Sequence, residues 1–132
     1  LCQILIDADK LHIERRIGAG SYGEVFSGTY LQHNVAIKTL IDVTQESLLS
    51  FRAEILLTSS LRHVNIVHAL GACWNAHLIC LVLEWCPRGT LGDLLADRTK
   101  HLRLVSRTVK AVVCCATIHR SPGVEWHALA MK

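Results

Sequence analysis

The sequence predicts an α+β domain: an antiparallel sheet of five strands with one packed helix. Three observations carry that expectation. From Leu11 to Leu40, β-branched and alternating apolar runs are separated by turn residues, the mark of short strands joined tightly. Residues 42–61 instead place their apolar side chains at spacings of three and four, the period of a helix. Beyond them, Val67–Trp74 and His77–Glu84 are two apolar runs around Asn75-Ala76, a hairpin.

The elements follow in order. Leu1–Ile6 is apolar and Asp7–Lys10 polar, a lead-in. Leu11, Ile13 and Ile17 alternate with His12, Glu14 and Arg16, with Arg15 breaking the phase, so Leu11–Ile17 reads as the first strand. Gly23–Tyr30 is the second strand, residues 31–33 a turn and Asn34–Leu40 the third strand. Asp42 opens the helix, with Gln45 in the capping-box position. Phe51, Glu54, Thr58 and Leu61 share one of its faces, where Glu54 is the sole acid. A lone carboxylate of this kind is ordinarily solvated at a helix edge. After the hairpin, Thr90 is a good N-cap for a short helix over Leu91–Asp97. Leu102, Val105, Val109, Val112, Val113 and Ile118 predict a long helix over Leu102–His119, apolar beyond one stripe, as if meant for burial.

Bulk properties narrow the function classes. The chain has 132 residues, 51% hydrophobic and 19% charged, about one small globular domain. The net charge is +3 and no basic run exceeds two residues, which gives no case for a nucleic-acid partner. The longest apolar runs, such as Leu78–Leu83, are too short to span a bilayer. The chain begins at Leu1 rather than Met, so a targeting signal cannot be judged. Cys2, Cys73, Cys80, Cys86, Cys114 and Cys115 form no CxxC pair, and the histidines are scattered, so no metal site is expected. Cysteines in apolar runs read as reduced core thiols of a cytoplasmic protein.

The chemistry is concentrated in Gly18–Lys38, GAGSYGEVFSGTYLQHNVAIK. Glycines at the spacing of Gly18, Gly20 and Gly23 let a backbone approach a phosphate, and two unrelated folds use that device. In a dinucleotide-binding fold the third glycine opens a helix. Here it is followed by Glu24-Val25-Phe26-Ser27-Gly28-Thr29-Tyr30, a poor helix and a plausible strand. A glycine turn between strands, followed by a strand that carries Lys38, is the other device.

On these residues the chain resembles the protein kinases. Gly18, Gly20, Gly23 and Val25 meet G-x-G-x-x-G-x-V, and Val35-Ala36-Ile37-Lys38 meets V-A-I-K letter for letter. The resemblance implies a first lobe over 11–84, a hinge over 85–90 and an incomplete second lobe over 91–132. It implies ATP as cofactor, with Ile17, Gly18, Gly20, Gly23 and Val25 over the nucleotide and Val25 and Ala36 roofing the adenine. Lys38 would reach the phosphates. Glu54, which precedes the family-like Leu61-Arg62-His63-Val64-Asn65-Ile66-Val67, would pair with Lys38 and aim it. By position Leu83 resembles the gatekeeper. The Glu84 carbonyl and the Cys86 amide would meet the adenine edge, with side chains weakly constrained. Asp93 would lie near the ribose, or simply be a solvated helix residue. The segment style is most similar to the tyrosine-kinase-like branch, whose members are mostly Ser/Thr kinases.

The tail departs from the pattern. Where the family has His-Arg-Asp and then Leu, this chain has His127-Ala128-Leu129. After Asp97 it holds no aspartate, and Glu125 is its one acid, so the catalytic base and the D-F-G metal ligand are missing. Mg²⁺ is therefore expected only with a complete second lobe. Thr58 and Ala69 are small where kinases stack bulky residues into an internal spine. Three readings stay open: part of a Ser/Thr protein kinase whose chemistry lies in further sequence, a catalytically dead pseudokinase that holds nucleotide or a partner kinase, and a remnant that does not fold. As given, the chain is expected to be inactive.

Overall fold

A computed structural model of the chain describes residues 4–20, 23–87, 89, 109–111 and 129–131. Its main body is a five-stranded antiparallel sheet with one helix. In chain order the elements are β1 (Leu11–Gly20), β2 (Gly23–Tyr30), β3 (His33–Leu40), α1 (Gln45–Ser60), β4 (Ala69–Trp74) and β5 (Ile79–Glu84). The spatial order is β1-β2-β3-β5-β4, so α1 forms the crossover that puts β5 beside β3.

Strand pairing explains the irregularity in the first strand. Ile13 pairs with Gly28 and Arg16 with Phe26, so Glu14 and Arg15 stand opposite Ser27 alone. This is a β-bulge, and Arg15 falls in it, which is why it breaks the apolar phase. The Ser27 hydroxyl accepts from the Arg15 N–H at 3.4 Å and donates to the Arg15 carbonyl at 3.2 Å, filling the gap in the ladder. Only Leu11 of the expected apolar face is buried; Ile13 and Ile17 are exposed, because β1 is the edge strand and α1 packs elsewhere. The β2–β3 turn is two residues long. Leu31 and Gln32 adopt φ of 48° and 67°, left-handed values that match the twist of a tight hairpin.

The helix begins two residues later than a start at Asp42 would place it. Its N-cap is Thr44, whose hydroxyl accepts from the Ser47 N–H at 3.1 Å, while Ser47 Oγ accepts from the Thr44 N–H at 2.9 Å. Ser47, rather than a Gln or Glu, completes the capping box; Asp42 contributes only its carbonyl, which accepts from Ser47 Oγ at 2.6 Å. The lead-in also has a defined place. Ile6 N–H donates to the Ala72 carbonyl at 3.0 Å and Ala72 N–H to the Ile4 carbonyl at 2.9 Å, so Ile4–Ile6 covers the outer edge of β4 in parallel. Gly71 makes room for it: a Cβ there would collide with the Ile6 side chain.

Each face of the sheet carries its own core. On one, Phe51 and Ile55 of α1 pack with Val67, Ala69, Ala72, Leu81 and Leu83. On the other, Leu11, Val35, Ile37, Cys73, Cys80 and Val82 form a second cluster, with Ile6, Ala8, Phe26 and Tyr30 against it. The alternation of Val35-Ala36-Ile37-Lys38 sends Val35 and Ile37 to the second cluster and turns Ala36 and Lys38 toward the helix.

The long helix expected over Leu102–His119 is not continuous. Val109–Ala111 is a strand, β6, paired antiparallel with β7 (Leu129–Met131). Valine at 109 favours extended backbone, and there the pairing with β7 outweighed the helical spacing of the apolar residues. The rest of that stretch, the expected helix Leu91–Asp97 with Asp93, and Glu125, His127 and Ala128 lie outside the described residues.

Candidate functional site: the lysine–glutamate pair beneath the glycine hairpin

Lys38 leaves β3 on the helix-facing side of the sheet. Its Nζ donates to Glu54 Oε1 at 2.6 Å. The two side chains keep 18% and 10% of their exposure, so this is a charge-assisted bond shielded from bulk water rather than a surface ion pair. Phe51, one turn earlier on α1, lies with its ring centroid 5.9 Å from the same ammonium, a cation–π contact. Four residues beyond Glu54, the buried Thr58 hydroxyl donates back to the Glu54 carbonyl at 2.7 Å. A small polar side chain at that position is thus satisfied within its own helix.

The helix can place these groups because Phe51, Glu54, Ile55 and Thr58 are its four buried residues, one stripe at spacings of three and four. Glu54 is therefore no solvated edge residue. Burying a carboxylate is costly unless it is paired, and the lysine from β3 supplies the pairing.

The glycine hairpin is the part of β1 and β2 nearest the loop. Gly18 pairs with Val25 and Gly20 with Gly23, the last pair before the loop of Ser21 and Tyr22, which lies outside the described residues. The glycines are there for different reasons. A Cβ on Gly23 would run into the Thr39 carbonyl, and one on Gly28 into the His12 carbonyl, so β2 needs glycine at both to lie flat between its neighbours. Around Gly18 the space is open, its nearest neighbour being Val25 Cβ at 4.0 Å. The fold itself does not require glycine at Gly18.

The remaining expected residues have mixed positions. Ile17 is exposed; Val25 and Ala36 are half-buried on β2 and β3. Leu83 is buried and pairs with Ala36 on one side and Ala69 on the other. Glu84 ends β5, opposite Val35, and Cys86 follows in a turn closed by Gly89 N–H to the Cys86 carbonyl at 3.3 Å. Sequence reasoning missed two partners. Phe51 was legible as a stripe residue but not as a contact of Lys38. The Glu84 carboxylate accepts from the His68 N–H at 2.8 Å, and no spacing in the sequence signals that bond. Among the described residues, no helix is long and apolar enough to cross a membrane.

A sheet of five antiparallel strands, a glycine hairpin over its edge and a strand lysine paired to a helix glutamate define the first lobe of a protein kinase. Residues 11–119 match the family of protein tyrosine and serine/threonine kinases, and the chain belongs to that family. It is 41% identical over 92 residues to "Serine/threonine-protein kinase STY17" of Arabidopsis thaliana, covering 68% of this chain and 16% of that protein. It is 35% identical over 127 residues to "Probable serine/threonine-protein kinase drkA" of Dictyostelium discoideum, covering 92% of this chain and 20% of that protein. The chain thus spans a fifth or less of the length of these relatives.

Proposed function

We propose that this chain is the nucleotide-holding part of a Ser/Thr protein kinase, with residues 11–84 as first lobe and 85–90 as hinge. The observation that carries the reading is the 2.6 Å bond from Lys38 to Glu54. A lysine fixed by a buried carboxylate is a preorganised cation, and phosphoryl transfer depends on such groups more than on covalent chemistry. ATP fits the residues present. The open space at Gly18 leaves backbone accessible to a phosphate, Lys38 supplies the cation, and Ile17, Val25, Ala36 and Leu83 supply apolar contacts for a base, with backbone groups of Glu84 and Cys86 at its edge. Transfer to a protein hydroxyl would need a base and Mg²⁺ ligands that residues 98–132 lack.

A second reading has its own support. His127-Ala128-Leu129 replaces the family's His-Arg-Asp, as in a pseudokinase that holds nucleotide or a partner kinase without turnover. A thermal-shift titration of the chain with ATP tests the shared claim. At 100 times its dissociation constant a ligand stabilises by about 2.7 kcal/mol. Saturable stabilisation that weakens in Lys38→Met supports the nucleotide site; a transition that ATP leaves unmoved sinks it. Phosphorylation of a generic protein substrate by this chain, abolished in Lys38→Met, would overturn the expectation of inactivity.

A further inference from the structure

We infer that the Glu84 side chain is a positioning residue for the base-binding edge of the hinge. This rests on the nucleotide-site reading above. Glu84 is the last residue of β5 and the first of the chain segment that would face a base. Two bonds tie it to one residue across the sheet. Its N–H donates to the His68 carbonyl at 2.9 Å, and its Oε1 accepts from the His68 N–H at 2.8 Å. An antiparallel ladder ordinarily joins two residues by backbone groups alone. Here the carboxylate serves as acceptor for the neighbour's amide, so side chain and backbone of Glu84 together close a ring with His68.

The location gives the ring its consequence. His68 belongs to the segment between α1 and β4, just before β4 begins at Ala69. The β4–β5 pairing is irregular there: Ala69 pairs with Leu83 and Gly71 with Val82, which leaves Leu70 as an extra residue. A bulge bends and loosens a ladder. The Glu84–His68 ring closes the ladder again directly beyond the bulge, at the point where β5 becomes the hinge. Both residues are half-buried, so water competes weakly for these bonds. The orientation of the Glu84 peptide, and of Trp85 and Cys86 after it, is then set by a carboxylate whose removal leaves the His68 amide without that acceptor. Binding to backbone groups depends on their being held before the ligand arrives.

The test compares wild type, Glu84→Ala, Glu84→Gln and Lys38→Met of the full chain, with adenosine and ATP as probes. Glutamine keeps an oxygen acceptor at the same reach; alanine does not. Glu84→Ala should weaken adenosine and ATP alike by about tenfold, the effect of one bond to a charged acceptor. Glu84→Gln should stay within about threefold of wild type. Lys38→Met should weaken ATP and spare adenosine, which has no phosphate. Hydrogen exchange of the ligand-free proteins gives a second readout: the His68 amide should exchange faster in Glu84→Ala and stay protected in Glu84→Gln. Wild-type adenosine affinity in Glu84→Ala, equal loss in the alanine and glutamine variants, or unchanged His68 exchange in Glu84→Ala would each overturn the inference while leaving the nucleotide site standing. Wild type that binds neither probe would overturn both.

Discussion

The two faces of the sheet are built from the same strands and differ in what they can do. The buried core on the face away from α1 is apolar: Val35, Ile37 and Val82 are fully buried, and Cys73 and Cys80 pair across β4 and β5, with the Arg16–Glu24 ion pair at the exposed end of that face. Its thiols are inert, since burial raises both and pushes Cys80 up to about 12. The helix-facing side has a comparable core in Ile55 and Leu81, yet it also holds the Lys38–Glu54 pair, Thr58 and the small Ala36, Ala69 and Ala72. One core only supports; the other supports and holds a shielded charge pair. The contrast teaches that a strand can divide these duties by alternation, one side chain to each face in turn.

Substitutions can break or sharpen that contrast. The largest effect belongs to the apolar core away from α1. Ile37→Ala should lower unfolding stability by about 2–5 kcal/mol, read by denaturant titration, because a fully buried side chain leaves a cavity. A cost below about 1 kcal/mol, under the ~2 kcal/mol lower end of such losses, would mean that Ile37 does not sit in a packed core.

Next come the glycines of β1 and β2. Gly28→Ala places a methyl against the His12 carbonyl and 2.6 Å from Ile37 Cδ1, and should cost about 1–3 kcal/mol in the same assay. Gly18→Ala should change stability by less than about 0.5 kcal/mol, since its surroundings are open. Its effect should appear only as weaker ATP binding. Equal destabilisation by the two would remove the distinction between a glycine needed by the sheet and one needed by a ligand.

On the charged face, Lys38→Met leaves Glu54 without the ammonium. The pair retains some exposure, so the loss should be about 1–2 kcal/mol, below that of a fully buried pair. Binding of ATP should fall far more than stability does. Thermal melts with and without ATP separate the two effects.

The smallest effect is a pH dependence on the apolar face. The Cys80 thiol ordinarily titrates near 9.0 and in the fold near 12, so the folded state holds its proton longer. Between those values the unfolded chain binds fewer protons, and stability falls as pH rises, by about 1 kcal/mol from pH 8 to about pH 10. Cys80→Ala should flatten that slope in melts across the same range. An unchanged slope would mean that another group carries it.

Much of this is legible in the sequence. Local signals sufficed for β1 to β5, α1, the glycine turn and the V-A-I-K strand, because each is a short-range pattern of turn residues and periodicity. Pairing Lys38 with Glu54 came from the family likeness, and the stripe of Phe51, Glu54 and Thr58 made it geometrically reasonable. Other features were not legible locally. The capping box used Ser47 where glutamine or glutamate is the usual signal. Val109 fits both a helix spacing and a strand propensity, and pairing of Val109–Ala111 with Leu129–Met131 decided between them.

The sequence by itself determined which residues could take part: a lysine on a strand, a glutamate on a helix, and glycines between two strands. Those identities follow from local chemistry and spacing. Tertiary structure alone decided which of them meet and why each is needed. The 2.6 Å bond depends on the crossover that packs α1 against the sheet. The difference between Gly18 and Gly28 depends on what crosses beside them. The Glu84–His68 ring depends on a bulge that shifts β4 against β5. These are contacts between segments far apart in the chain, and their geometry is set by the packing of the whole sheet, which no local pattern encodes.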